Sequence, residues 1–452
     1  MKDIRNILPG RVSTEPEELF CYGFDASHVR GLPRAVVSPI NTEEVSKAAA
    51  AAFKHGIPLI PRGAGTGMTA GAVALKDSVI LSLEAMPRIL EIDEKNLVAV
   101  VEPGVINSHL QAELEPKGLF YPPDPASMDF CTIGGNVAEN AGGPRALKYG
   151  VTRDYVLGLE IVLPDGRVLA TGVRTYKGVV GYDLTRLIVG SEGTLAIITK
   201  VFLKLLPCPE EVITLLCAFP ELNGAAVAAS KITISGIIPR TLEFMDSGAI
   251  NAVENYKPVG LPMNTEALLL IEVDGPRSSV AENAEKIASI CSSLGADVKA
   301  ADDVFSKQRL WEARRAVSPA LYRISPTKIN EDIVVPRSKI PDMLSFLKEI
   351  GIKYNLKIVN FGHAGDGNIH VNIMTDKNNK DEYQRAERSV KDIFEAALKL
   401  GGTISGEHGV GLTKSKYLGM EISPVGIQLM KEIKKVFDPK GILNPGKIFP
   451  PD

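Results

Sequence analysis

The sequence predicts an α+β protein with more than one domain. The chain has 452 residues, which is long enough for two or three domains with a large buried core. In its first half, three glycine-rich clusters are separated by short apolar runs that are typical of strands. After Pro207-Cys208-Pro209, strand-like and helix-like segments alternate, which indicates a second domain built on an antiparallel sheet with helices on one side.

The composition is that of an ordinary globular protein. With 45% hydrophobic and 23% charged residues and a net charge of -3, the chain shows no sign of binding nucleic acid or an anionic membrane. No apolar run approaches the roughly 20 residues of a membrane span, and Met1–Asn6 lacks the apolar core of a signal peptide. The five cysteines are scattered without a Cys-x-x-Cys pair, so neither disulfides nor a cysteine-ligated cluster is expected and a cytoplasmic location fits best.

The first helix with clear boundary signals follows Asn41. Asn41 is a good N-cap, Glu44 stands at the third helical position, and Gly56 is expected to end the helix. A short apolar strand, Ile57–Ile60, should follow it. Further strands are predicted at Val79–Leu83, Leu97–Val101, Val156–Leu163 and Val168–Thr171, and a helix at Asn107–Glu115.

The first glycine cluster, Pro61–Gly71, follows that strand. Four glycines in nine residues can turn successive N–H groups toward one anion, and such a nest suits a pyrophosphate. The spacing does not match the dinucleotide fingerprint, because the sixth position counted from Gly63 is Met68. A flexible loop without a ligand is the alternative, and the loop alone leaves both interpretations open.

Two more glycine clusters lie downstream. Gly134–Gly143 is preceded by the proline-rich segment Tyr121–Ser127. In Val189–Ile198 an apolar strand emerges directly from a glycine turn, so its backbone can hydrogen-bond a planar heterocycle. Three separated glycine turns in one α+β region are hard to explain as plain loops.

The second half contains a candidate metal site. If the turn of the glycine-rich hairpin is Gly365–Asn368, His363 and His370 face each other on paired strands, with Cβ atoms about 4.5–5.5 Å apart. Asn372 would share their face, and Glu407 could supply an anionic third ligand. Two His and one carboxylate leave coordination positions open, as in catalytic metal sites. The alternative is a hairpin without metal, but three of the six histidines fall in these two glycine-flanked segments.

A helix is predicted over Lys307–Arg323, with Trp311, Arg314 and Ser318 on one face at i, i+3 and i+7. Trp311 is expected to pack rather than to react. Other regular segments of this half are Val212–Phe219, Ala225–Ile234, Leu242–Phe244, Ala267–Val273, Val280–Leu294, Asp332–Val335, Asp381–Leu400 and Ser423–Phe437.

From about residue 35 onward, the order of motifs resembles the FAD-linked oxidase superfamily of the vanillyl-alcohol oxidase type. Two segments, Gly362–His370 and Ser405–Gly409, resemble the branch with D-lactate dehydrogenases, the FAD subunit of glycolate oxidase and D-2-hydroxyglutarate dehydrogenase. The segments that carry the wider resemblance are Pro61–Gly71, Pro123–Ser127, Gly134–Gly143, Gly190–Ile198 and Asn444–Lys447.

This resemblance implies an FAD-binding domain of two α+β subdomains (1–207), an inserted substrate or cap domain with the metal site (208–410), and a C-terminal segment that returns to the FAD domain (411–452). It implies non-covalent FAD, because Thr66, Met68 and Thr69 occupy the loop where relatives with covalent flavin carry a histidine. The implied FAD-binding residues are Arg62, Gly63, Ala64, Gly65, Thr66, Gly67, Gly71, Pro123, Asp124, Ser127, Gly134, Gly135, Asn136, Asn140, Gly142, Glu192, Gly193, Ile197 and Asn444.

The resemblance also implies a mechanism. A divalent ion (zinc, manganese or iron) on His363, His370 and Glu407 would bind the carboxylate and α-hydroxyl oxygens of a 2-hydroxyacid and lower the pKa of the hydroxyl. His408 would be the general base, and a hydride would pass to the flavin. The implied substrate contacts are Arg314, Ser318, Lys328 and Asn372, with Arg315 as the alternative to Arg314 for the carboxylate.

The expected function is therefore FAD-dependent oxidation of a small D-2-hydroxyacid, D-lactate or glycolate, to the 2-oxoacid. No nicotinamide, haem or iron–sulfur motif is visible, so the electrons are expected to pass to an electron-transferring flavoprotein or an iron–sulfur subunit. An oxygen-using flavin oxidase of another alcohol and a non-catalytic electron-relay subunit are the alternatives. The sequence leaves open the particular hydroxyacid, the metal, the acceptor and whether the chain forms an oligomer.

Overall fold

The fold comes from a computed structural model that describes residues 2–75, 77–301 and 303–450, without the side chains of Lys2 and Asp3. These residues form two compact units. The first comprises the described residues of Met1–Gly142, Val151–Cys208 and Glu407–Asp452, and the second comprises Gly143–Gly150 and Pro209–Gly406. The predicted domains were 1–207, 208–410 and 411–452, so residues 143–150 were expected in the first domain. In the fold these eight residues group with the second unit.

Strands occur in both units. They are β1 (Val12–Ser13), β2 (Ala35–Val37), β3 (Leu59–Arg62), β4 (Val79–Ser82), β5 (Ile89–Asp93), β6 (Val98–Val101), β7 (Leu119–Phe120), β8 (Val156–Val162), β9 (Val168–Gly172), β10 (Ile197–Lys204), β11 (Leu206–Pro207), β12 (Glu211–Phe219), β13 (Thr241–Asp246), β14 (Ala267–Gly275), β15 (Asp297–Ala300), β16 (Thr327–Val334), β17 (Lys357–His363) and β18 (Asn368–Thr375).

The α-helices range from four to 20 residues in length. They are α1 (Lys2–Ile7), α2 (Pro16–Cys21), α3 (Thr42–His55), α4 (Asn107–Leu114), α5 (Ile133–Glu139), α6 (Ala146–Tyr149), α7 (Leu184–Ile188), α8 (Leu222–Ile234), α9 (Ser247–Tyr256), α10 (Arg277–Ser293), α11 (Val304–Ala320), α12 (Ile340–Tyr354), α13 (Lys380–Lys399), α14 (Leu418–Glu421) and α15 (Pro424–Phe437). Among the described residues, none of these helices combines the length and the apolar character that crossing a bilayer requires.

Helix α3 begins and ends where the sequence predicted. The Asn41 side chain accepts a hydrogen bond from the Glu44 amide at 2.9 Å, and Glu44 reaches back to the Ile40 amide at 3.0 Å. Gly56 closes the helix in the left-handed conformation, at φ +63°. These local bonds satisfy helix-end groups that would otherwise lack partners, which explains why the sequence located both ends.

The first unit contains two main sheets. One has the order β1-β2-β4-β3, with β2, β4 and β3 parallel and β1 antiparallel to β2. The other has the order β5-β6-β10-β8-β9 and is antiparallel throughout. The C-terminal segment joins the first sheet, since Leu443 forms a parallel bridge with Leu59. These sheets and their helices confirm the predicted α+β class, and the division of this unit into two subdomains stays a prediction.

The first half of the second glycine cluster is helical, contrary to the predicted turn. Gly134 and Gly135 lie in α5, and the Thr132 side chain caps the helix by accepting from the Gly135 amide at 3.2 Å. A Cβ on Gly134 would lie 2.5 Å from Cβ of Pro103. The glycine is therefore required by close approach of the helix to a neighbouring segment, and not by a turn conformation.

The second unit is built on a seven-stranded antiparallel sheet of order β15-β12-β14-β13-β17-β18-β16. The prediction of an antiparallel sheet is confirmed, but the prediction that helices cover one side is wrong. Leu216 packs with residues of α9 and α11, whereas the next residue, Cys217, contacts Cys291 of α10. Successive strand residues point to opposite faces, so helices cover both faces. This explains why every residue of β18 is buried.

Candidate active site

The first glycine loop curls around a buried guanidinium. Arg62, at the end of β3, is 7% exposed, and its Nη1 donates to the Ala72 carbonyl at 3.3 Å. A Cβ on Gly65 (φ +69°) would lie 2.1 Å from Arg62 Nη2, so only glycine fits there. Burial lowers the pKa of Arg62. Its buried Nε has no hydrogen-bond partner within the described ranges, which leaves a donor for an anion such as a pyrophosphate.

The third glycine turn docks on α5. The amides of Gly190 and Glu192 donate to the carbonyls of Val137 and Ala138, at 2.9 and 2.8 Å. Glu192 and Gly193 are both left-handed, at φ +53° and +66°. The second and third clusters therefore form one continuous surface, and the strand β10 leaves it at Ile197, as the sequence predicted.

Asn444 joins this turn to the first loop. Its Nδ2 donates to the carbonyls of Gly71 at 2.9 Å and Glu192 at 2.7 Å, and the residue is 2% exposed. At the C-terminal end of α5, Asn140 is left-handed (φ +54°) and accepts from the Arg153 amide at 2.9 Å. The structure thus brings the separated glycine segments of the first unit together.

The proline-rich segment is held beside the same helix. The Pro123 carbonyl accepts from Asn107 Nδ2 at 3.2 Å. Burial raises the pKa of the Cys131 thiol, which the Ser127 side chain hydrogen-bonds. Asn136 Nδ2 is a further buried donor that lacks a partner in the described chain. Asp124 is also buried, at 9% exposure.

The segment with Glu407 and His408 is fastened to these glycine segments. The Glu192 carboxylate accepts from the amides of Val410 at 2.8 Å and Gly411 at 2.7 Å. Thr69, in the first glycine loop, donates through Oγ1 to the His408 carbonyl at 3.1 Å. The backbone of His408, the predicted general base, is therefore hydrogen-bonded to the first glycine loop, which is predicted to bind the cofactor. Glu407 lies against Gly142, since a Cβ there would be 2.7 Å from Glu407 Oε2.

Sequence reasoning missed a cluster of buried charged groups near this segment, formed by Glu139, Glu192 and Lys447. Glu139 Oε1 lies 2.9 Å from the position that a Cβ on Gly71 would take. Burial, and next the charge of Glu192, raise the pKa of Glu139 well above its usual value. Lys447 donates to the carbonyls of Ala70 and Val73, and burial lowers its pKa to about 8. Both residues sit inside segments that carried the family resemblance, but as single charged residues they gave no signal of burial.

The two hairpin histidines of the second unit share a sheet face, though not by the predicted pairing. His363 pairs with Asn368, and His370 pairs with Phe361, so the histidines are diagonal and not directly opposite. The register differs from the predicted one by two residues, and a shift of two preserves the face. The imidazole centroids are 5.2 Å apart at 84°.

A carboxylate from a neighbouring strand lies at each of these histidines. Glu243 on β13 is 2.7 Å from His363 Nδ1, and Asp332 on β16 is 3.8 Å from His370 Nδ1. Asp332 also accepts from the amide of Gly406 at 2.9 Å. The 2.7 Å contact at His363 is within hydrogen-bond distance, whereas the 3.8 Å separation at His370 is not. A carboxylate bonded to Nδ1, as at His363, orients an imidazole and leaves Nε2 for a metal, which is a common arrangement around zinc.

The predicted substrate residues occupy the same unit. Arg314 is 7% exposed, whereas Arg315 is exposed, so only Arg314 faces the interior. Lys328 donates to Ser318 Oγ at 2.6 Å, and burial lowers the pKa of Lys328 to about 8. Asn372 donates to the His370 carbonyl at 3.1 Å, so part of its bonding capacity serves the sheet. Their roles toward a substrate stay predictions.

Comparison with known proteins places this chain among flavoproteins. The family of FAD linked oxidases, C-terminal domain, matches residues 208–448, and an FAD binding domain family matches residues 33–172. The chain is 48% identical over 433 residues to the glycolate oxidase subunit GlcD of Bacillus subtilis (strain 168), which covers 95% of this chain and 92% of that protein.

Two further similarities extend over almost the whole chain. The D-lactate dehydrogenase of Anaerostipes hadrus is 36% identical over 460 residues, which covers 99% of this chain and 96% of that protein. Among solved structures, p-cresol methylhydroxylase with bound substrate matches with a TM-score of 0.82 at 20% identity, over 99% of this chain and 96% of that one. This last likeness concerns the fold alone.

Proposed function

Since the chain belongs to the FAD-linked oxidase family, we propose that it is an FAD-dependent, metal-assisted dehydrogenase of a small D-2-hydroxyacid, D-lactate or glycolate. The names of the relatives, a glycolate oxidase subunit and a D-lactate dehydrogenase, support this substrate class. The observation that carries the proposal is the attachment of the His408 segment to the first glycine loop and to Glu192, because it joins the proposed base to the proposed cofactor segments within one unit.

The first unit fits a non-covalent FAD. Unpartnered donors of Arg62 and Asn136 face the interior, and the loop positions Thr66, Met68 and Thr69 offer no histidine for a covalent link. FAD, when bound, accepts a hydride from the substrate Cα. The protein's own task is to hold the α-carbon toward the ring and to remove the hydroxyl proton, and His408 is the proposed acceptor of that proton.

His363, His370 and Glu407 are the proposed holders of a divalent ion. Support comes from the second unit, where the two imidazoles lie together and each has a carboxylate near Nδ1. Glu407 directly follows Gly406, which is bonded to one of these carboxylates, Asp332. A divalent ion bound there would lower the pKa of the substrate hydroxyl. Arg314 would hold the substrate carboxylate through its forked donors, since its buried Nε has no hydrogen-bond partner among the residues described.

The proposed electron acceptor is another protein, an electron-transferring flavoprotein or an iron–sulfur subunit. Support comes from the names of two relatives, in Bacillus subtilis and Escherichia coli, each of which is called a subunit of glycolate oxidase.

An anaerobic bleaching screen tests the proposal. Purified protein should carry flavin whose absorbance is lost on addition of D-lactate or glycolate, while L-lactate serves as the stereochemical control. Chelation should abolish bleaching, and zinc, manganese or iron should restore it. His408→Ala should keep its FAD and lose the reaction. If no member of a broad hydroxyacid panel reduces the flavin, the proposed activity is wrong. If bleaching survives complete metal removal, the metal is not part of the mechanism.

A further inference from the structure

Glu243 is a buried carboxylate that no motif singled out. It lies on β13, is 1% exposed, and pairs directly with His363 in the register of β13 and β17. One oxygen is 2.7 Å from His363 Nδ1, and the other is 2.7 Å from Arg314 Nη2. A carboxylate this deeply buried is tolerated because a charged or polar partner faces each oxygen.

The two partners of Glu243 have different proposed roles. His363 is a proposed metal ligand, and Arg314 is the proposed holder of the substrate carboxylate. The Arg314 guanidinium also lies over the ring of Phe361, 4.9 Å from its centroid. The ring centroids of Phe361 and His370 are 5.1 Å apart. One carboxylate thus stands between the group that would bind metal and the group that would bind substrate.

We infer that Glu243 is a positioning residue that couples metal binding to substrate binding, an inference that rests on the proposed function. By accepting from Nδ1, Glu243 keeps the proton of His363 on that nitrogen and presents the Nε2 lone pair to the metal. By pairing with Nη2, it holds the Arg314 guanidinium in one orientation, so that the remaining donors face the substrate carboxylate.

Glu272 offers a matched control on the same sheet face. It pairs with Thr241, two residues from Glu243 along β13, and is 8% exposed. It is also hydrogen-bonded and ion-paired, to Trp311 Nε1 at 2.7 Å and Arg240 Nε at 3.4 Å. Glu272→Gln therefore removes a buried, paired charge from the same sheet without touching His363.

The test compares Glu243→Gln and Glu272→Gln in the full chain. Zinc affinity is measured on substrate-free, metal-free protein by competition with a chromophoric chelator. Loss of a group that orients a metal ligand typically weakens binding about 10- to 100-fold, so this loss is expected for Glu243→Gln and not for Glu272→Gln. Glu243→Gln should also raise KM for the hydroxyacid. FAD content and the urea midpoint report whether each variant folds.

The results separate the inference from its premise. If the wild type binds zinc and Glu243→Gln binds it equally well, the inference is wrong and the proposed function stands. If the wild type binds no divalent ion, both fail. If the variant misfolds, a measurement on the wild-type protein still tests the inference. With 15N-labelled histidines, the zinc-loaded protein should show His363 with its proton on Nδ1, and a proton on Nε2 would overturn the inference.

Discussion

Gly67→Ala distinguishes the effect of the first glycine loop on the stability of the protein from its effect on FAD affinity. A Cβ at Gly67 would meet a single atom within 4 Å, Glu139 Oε1 at 3.8 Å, which is an ordinary contact. The backbone of Gly67 is outside the left-handed region, so alanine is unstrained there. The substitution restricts the unfolded chain, and it should raise the free energy of unfolding of the FAD-free protein by about 0.4–1 kcal/mol.

The effect on FAD should have the opposite sign. If the loop backbone approaches the pyrophosphate, the added methyl group enters that contact. Overfilling a close contact costs about 1–3 kcal/mol, which corresponds to FAD binding that is about 5- to 160-fold weaker. The protein would then be more stable without its cofactor and would bind that cofactor less tightly.

Urea unfolding of the FAD-free protein and titration with FAD, followed by quenching of flavin fluorescence, measure the two effects. Gly419→Ala is the matched control, because Gly419 lies in α14 with nothing within 4 Å of its Cβ position. It should gain stability and keep wild-type FAD affinity. Unchanged FAD affinity in Gly67→Ala would refute the assignment of this loop to the cofactor, and a loss of stability would refute the loop geometry.

Two further predictions concern the buried carboxylates of the first unit. The folded-state pKa of Glu139 is raised, so its contribution to stability is full at pH below the unfolded value and is lost as the pH rises through the folded value. Glu139→Gln should therefore flatten the pH dependence of the unfolding free energy and be more stable than wild type at alkaline pH, and parallel urea-unfolding profiles would contradict this. Glu192→Gln replaces one acceptor of the Val410 and Gly411 amides with a donor, and a hydrogen bond to a charged group contributes about 1.5–3 kcal/mol. We expect a lower unfolding free energy and slower flavin reduction per bound FAD through a looser His408 segment; wild-type values for both would show that Glu192 does not hold this segment.

Local signals were sufficient for several parts of the fold. The ends of α3 were predicted because Asn41, Glu44 and Gly56 satisfy helix-end groups with bonds inside their own segment. The shared face of His363 and His370 survived an error of two residues in the pairing, because side chains in a strand alternate with a period of two. Alternation and capping act over a few residues, so the sequence alone carries them.

Other features depended on residues far away in the chain. The glycines of α5 suggested a turn, but Gly134 is needed because Pro103 approaches the helix. Residues 143–150 belong to the second unit because Lys148 and Tyr149 bond Asp274. A pattern read within one segment cannot reveal a neighbour that folding brings from another part of the chain.

The sequence alone determined the fold class, the glycine segments of the first unit and the residue types of the candidate metal hairpin. Only the tertiary structure decided how those groups are supported. Glu243 and His363 are 120 residues apart in the chain and 2.7 Å apart in the fold. Glu139 became a strongly perturbed acid only because distant segments bury it beside Glu192. Burial and the pairing of charges are properties of the assembled unit, because they depend on which surfaces exclude water once the strands and helices are in contact.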